Sequence, residues 1–144
     1  MRNDFAGAAT NCGVALEAQG QTVEAIVAYD QAIELGEGLR AKLEPRGAWT
    51  PEMRNDLARA YGARAAAHVR DHQTVASVVS YGNCIVLQEM LRTELESRGV
   101  WFPALRDSLA MAYAGRALAL EDKGELVVRS ESCDTVSERH GALD

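Results

Sequence analysis

The residue types that do chemistry are few in this chain, and their spacing does not gather them. Candidate metal ligands and nucleophiles are His68, His72 and His140 with Cys12, Cys84 and Cys133. His68 and His72 are four apart, so an unbroken helix would set both on one face. His72, however, falls in Asp71-His72-Gln73, which reads as a turn, and no third ligand is near in sequence. No metal site is therefore expected. The cysteines form no C-x-x-C pair and are expected to be reduced, small, buried residues. Acidic neighbours such as Glu94 and Glu96 are expected to be solvated surface. The chain carries no glycine-rich phosphate loop, G-x-S-x-G elbow, H-E-x-x-H or EF-hand loop. The reading is a protein with no catalytic residues and no cofactor.

Two further residue types need an explanation. Arg64 and Arg116 interrupt faces that are otherwise small and apolar. A guanidinium there must find an acid or a carbonyl, or reach for water. Structural pairing is expected, with Asp30, Asp56 and Asp107 as the partner types. The alternative is a groove in which these arginines hold a ligand's carboxylate. Trp49 and Trp101 lie in matching connections and are expected to plug the joints between units, where each ring would be largely buried. The alternative is an exposed aromatic anchor for a partner.

What places these residues in matching positions is a period of 52. Met1-Arg2-Asn3-Asp4 returns as Met53-Arg54-Asn55-Asp56, and residues 1–52 match 53–104 at 23 of 52 positions without a gap. Units 1–52, 53–104 and an incomplete 105–144 then form one repeat domain. Repeats of this size stack, and stacked repeats work by binding along an extended surface.

Composition agrees with an all-α chain. Alanine is frequent and proline is confined to Pro45, Pro51 and Pro103. Each unit reads as two helices. In unit one, Phe5, Ala8, Ala9, Cys12, Ala15 and Leu16 are expected to face the core, Gly20 ends the helix, and Thr22 starts the next. Thr50-Pro51-Glu52 is a strong helix start for unit two. In unit three Lys123-Gly124 is expected to close the first helix. A net charge of −6 gives no electrostatic reason to expect nucleic acid. No stretch reads as a signal peptide or a membrane span, and a cytoplasmic protein is expected.

The helix pairs resemble the tetratricopeptide repeat. Unit one carries Gly13, Leu16, Gly20, Ala25, Tyr29 and Ala32 at that family's small-residue and aromatic positions. Unit two departs in part, with Tyr61, Ala65, His68, Ser77, Tyr81 and Cys84. Unit three keeps Tyr113, Ala117, Leu120 and Gly124, then substitutes Arg129 and Cys133. The period also departs, because the family's usual unit is about 34 residues. The resemblance implies an α-solenoid of about three stacked antiparallel hairpins whose first helices line a concave face. On that face it places Gly7, Thr10, Val14, Glu17 and Ala18, then Arg59, Gly62, Ala66, Val69 and Arg70, then Met111, Ala114, Leu118, Glu121 and Asp122. It implies a non-catalytic scaffold that binds a peptide or partner segment there. The subclass that clamps a terminal carboxylate would need asparagines where Val14, Ala66 and Leu118 stand, so no such clamp is expected. The alternative function is self-association, with uncapped ends stacking on a second copy.

Overall fold

A computed structural model describes the backbone of residues 2–100 and 102–141, with side chains over 4–100 and 102–124. The described residues form five helices and no strand. Helices α1 (Arg2–Ala18) and α2 (Thr22–Leu43) make one hairpin. A short 3-10 turn, Glu44–Arg46, leads to α3 (Pro51–Arg70) and α4 (Thr74–Ser97), the second hairpin. A single long helix, α5 (Pro103–Gly141), follows and packs on α4.

Local chemistry accounts for the breaks. Four residues adopt left-handed backbone: Gly20 (φ 77°), Gly47 (φ 67°), His72 (φ 57°) and Gly99 (φ 69°). After each, a backbone N–H reaches back to a free carbonyl: Gln21 to Leu16 and Ala48 to Leu43 at 2.9 Å, Gln73 to His68 at 2.8 Å, Val100 to Leu95 at 2.9 Å. This is the usual way a helix end satisfies its last carbonyls. At the start of α3 the Thr50 hydroxyl accepts from the Met53 N–H at 3.3 Å, and Pro51 occupies the first turn.

The expected break at Lys123-Gly124 is absent, because α5 runs straight through it. Gly124 keeps helical backbone here, because a glycine permits a turn without requiring one.

The core combines small residues and a few rings with the aliphatic side chains Ile33, Leu57, Ile85, Leu87 and Leu109. Ala25, Ala58, Ala65 and Ala67 are wholly buried, whereas Val23, Val27, Val75 and Val79 are exposed. Close helix approach explains this inversion. Tyr29 is wholly buried, and a Cβ on Gly13 would fall inside its ring. A Cβ on Gly36 would lie 2.7 Å from Leu57 Cδ1. On α1 the buried stripe is Ala6, Thr10 and Gly13; of the residues expected to face the core, Ala9 and Leu16 pack partly buried against it, whereas Phe5, Ala8, Cys12 and Ala15 are exposed. Being an outer helix, α1 is covered on one side only, and its small residues turn inward to receive Tyr29. Cys12 is thus not a buried residue; Cys84 is.

Trp49 plugs the joint between hairpins, as its position in the sequence suggests. It is 6% exposed, with the Arg40 and Arg54 guanidinium groups 5.0 and 4.8 Å from the ring centre. Arg54 also pairs with Glu94. Trp101 lies outside the described residues. A second joint feature recurs at the 52-residue step. Tyr61 donates to Glu37 (2.8 Å) as Tyr113 donates to Glu89 (2.9 Å). Arg40 pairs with Glu44 (2.9 Å) as Arg92 pairs with Glu96 (3.0 Å).

Two glycines on α1 separate packing from helix propensity. Gly7 has open space around it and Gly13 has none. Gly7→Ala should raise stability by about 0.5–1 kcal/mol, while Gly13→Ala should lower it by about 1–3 kcal/mol through overpacking. Urea unfolding of both variants checks the opposite signs. His72→Gly should add roughly 0.5–1 kcal/mol by relieving a left-handed non-glycine residue. Thermal unfolding reads that gain, and an unchanged midpoint would contradict it.

Candidate functional site

The first helices lie side by side, with α3 between α1 and α5. Along one face α3 presents Ala58, Gly62, Ala63 and Ala66, all with one side-chain carbon or none. Its neighbours present the larger Val14 and Met111. The result is a depression over α3, a cavity of about 330 Å³ with α1, α3 and α5 around it. Where α3 and α5 part, α4 forms the floor with Tyr81, Cys84 and Gln88. These three sit at i, i+3 and i+7, on one face of their helix.

The floor is held tightly. A Cβ on Gly115 of α5 would lie 2.5 Å from Tyr81 Cζ, so the ring runs beneath the groove and abuts α5. In the first hairpin the matching ring, Tyr29, lies over Gly13; in the second, Ala65 carries a Cβ at that phase and Tyr81 lies against Gly115 instead. Burial pushes the Cys84 thiol up to about 11, so it is a neutral, unreactive packing atom at neutral pH. Gln88 is 7% exposed, and its side-chain oxygen is buried without a hydrogen-bond partner.

Among the residues expected on the concave face are three groups. Val14, Arg59 and Met111 line the cavity together with Thr10, Gly62 and Ala66. Glu17 and Arg70 hold each other: their charged atoms are 3.1 Å apart, and Glu17 also accepts from the Tyr29 hydroxyl at 3.1 Å. They tie α1 to α3 and leave no free carboxylate at that end. Val69 and Leu118 are exposed but do not line the cavity. Arg59 reaches sideways to Asn11 on α1 at 2.9 Å. Tyr81 and Cys84 line the groove from second-helix positions that the sequence reads as packing, and Gln88 lines it from a position the sequence does not single out. The i, i+3, i+7 spacing of Tyr81, Cys84 and Gln88 was the available signal.

The other candidates resolve as structure. Arg64 donates to Asp30 (2.8 Å) and Ser80 (3.2 Å), and its guanidinium lies 5.3 Å from the Tyr61 ring centre. Of the three acids considered, Asp30 is its ion-pair partner. Arg116 is exposed on α5. His68 is buried, whereas His72 occupies the left-handed turn after α3 ends, so the two are not helical neighbours. Among the described residues no group of three or more His, Cys, Asp or Glu could hold a metal. No helix among them is long and apolar enough to cross a membrane. His140 and Cys133 lie outside the described side chains.

Comparison with protein-family models, with curated proteins and with solved structures gave no match. The functional reading therefore rests on the groove itself.

The tyrosines packed between the helices give the fold a pH signature. Burial, followed by the hydrogen bond to Glu37, pushes the Tyr61 phenol up to about 12. Burial and Glu17 raise Tyr29, and burial raises Tyr81. An unfolded tyrosine ionises near pH 10. The raised folded values mean that this stabilisation is whole below about pH 10 and is lost as pH rises towards about 12. Unfolding midpoints should thus be flat to about pH 10 and fall above it. Tyr61→Phe should flatten that fall, and the same slope in the variant would contradict the assignment.

Proposed function

We propose that this chain is a non-catalytic binding module of tetratricopeptide-like architecture, an α-solenoid that holds a short segment of a partner protein in the groove over α3. The observation that supports the reading is the cavity. Its lining is short-chained and mostly apolar, it crosses three helices, and its walls are fixed by packing rather than by loops. A preformed groove asks little ordering of the protein on binding. In this reading the unit of 52 residues is a lengthened version of the family's hairpin, formed twice and followed by α5 as an open third unit. The chain is read as cytoplasmic and as having no affinity for nucleic acid.

The test is a peptide-display selection on the whole chain. Enriched peptides should bind Ala66→Arg, which fills the depression, at least about tenfold more weakly than wild type. Val79→Arg, on the exposed outer face of α4, should bind them normally. Peptides that bind Ala66→Arg as well as wild type would overturn the proposal.

One observation favours self-association as a second reading. On α3, Ala58, Tyr61, Ala65 and His68 form a buried stripe. Their counterparts on α5 are Ala110, Tyr113, Ala117 and Leu120, and all four are exposed. This apolar stripe at helical spacing suits a second copy packed against α5, with Ala117 allowing close approach. Light scattering should then show a dimer that Ala117→Glu converts to a monomer. A wild-type monomer across a wide concentration range would remove this reading.

A further inference from the structure

We infer that the cavity over α3 accepts one aromatic side chain carrying a hydrogen-bond donor on its edge, a tryptophan or tyrosine of the bound segment, with Gln88 as its acceptor. The inference rests on the groove reading above and names what the groove selects.

Shape is the first argument. A volume of about 330 Å³ holds a ring with its neighbouring peptide link. Gly62, Ala63 and Ala66, all partly exposed, offer a low wall against which a flat ring can lie. Met111, largely exposed at the other side, carries a flexible thioether that can adapt to ring faces and edges. A small aliphatic side chain would leave part of this space empty.

Polarity is the second. Gln88 lines the cavity, is more than nine-tenths buried, and keeps a side-chain oxygen without a partner. Buried polar atoms are rarely left in that state, and the unmade bond marks a place where a donor is missing. Its terminal torsion is soft, so the amide can turn its oxygen towards the cavity. His68 and Ser77 also hold buried unpartnered atoms, but neither lines this cavity.

Charge is the third. Among the described residues no aspartate or glutamate lines the cavity, so a lysine or arginine tip would be buried there without a counter-ion from them. The cation at the rim, Arg59, is already held by Asn11. A phenylalanine would fill the space yet leave the Gln88 oxygen dry. An indole N–H or a phenol O–H on an otherwise apolar ring meets both demands.

The test is an NMR titration of the whole chain with the N-acetyl amides of tryptophan, tyrosine, phenylalanine and leucine. The tryptophan or tyrosine amide should shift the backbone signals of Gly62, Ala63 and Ala112 and bind about fivefold or more tightly than the phenylalanine amide, the worth of one neutral hydrogen bond. In Gln88→Leu that advantage should vanish while the phenylalanine amide still binds. The same variant should melt higher than wild type when unliganded, because the dry acceptor is gone. Equal binding of all three aromatic amides by wild type would overturn the inference and leave the groove reading standing. An advantage that survives in Gln88→Leu would overturn it as well. No shift at the groove with any amide would overturn both the inference and the groove reading.

Discussion

Everything in this chain depends on how closely its helices approach, and that distance is set by side chains of one carbon or none. Ala25 meets the first helix of its hairpin at zero exposure, and Gly13 gives way entirely to the Tyr29 ring. Gly36 does the same for Leu57 across the joint between hairpins. The isoleucines Ile33 and Ile85 are buried in the wider core, while the valines of α2 and α4 lie on the other faces of their helices. Val23, Val27, Val75 and Val79 are thus outside, a distribution that hydrophobicity alone would not give. The depression over α3 is the same economy seen from the other side, since Ala58, Gly62 and Ala66 are too short to fill the face they share with Val14 and Met111.

Rings and ion pairs then fix the register of what the small residues bring together. Trp49 fills the joint between hairpins with an arginine near either side. The Tyr61–Glu37 and Tyr113–Glu89 hydrogen bonds repeat one contact at the 52-residue step. The Arg40 and Arg92 pairs repeat another. Single exposed pairs of this kind add little stability. Their worth here is positional: each tyrosine on a first helix is held by a glutamate on the preceding second helix, so the first-helix faces stay aligned. The symmetry ends at α5. Tyr61 is buried because α4 covers it, and Tyr113 is 46% exposed.

Local chemistry was legible in the sequence, and relative orientation was not. Gly20, the Asp71-His72-Gln73 turn and the Thr50-Pro51 helix start are read from a few neighbouring residues, and each is where the sequence puts it. The face of α1 was misread in part, because its small and apolar residues occur around the whole helix and fix no phase. The continuous α5 differs from the expected break because Gly124 permits a turn without requiring one. In the groove, first-helix residues Val14, Arg59 and Met111 followed from the resemblance to a known repeat. The mutual pairing of Glu17 and Arg70 did not, since they lie on different helices. Gln88 was invisible for a related reason. A polar residue on an amphipathic helix reads as surface until packing closes over it.

The most direct test of this account is amide hydrogen exchange on the whole chain, with and without a peptide selected by display. The account expects added protection in α3 around Ala58–Ala66 and in α5 around Ser108–Ala112, with the exposed outer faces of α2 and α4 unchanged. Protection confined to those outer faces, with α3 unaffected, would contradict it.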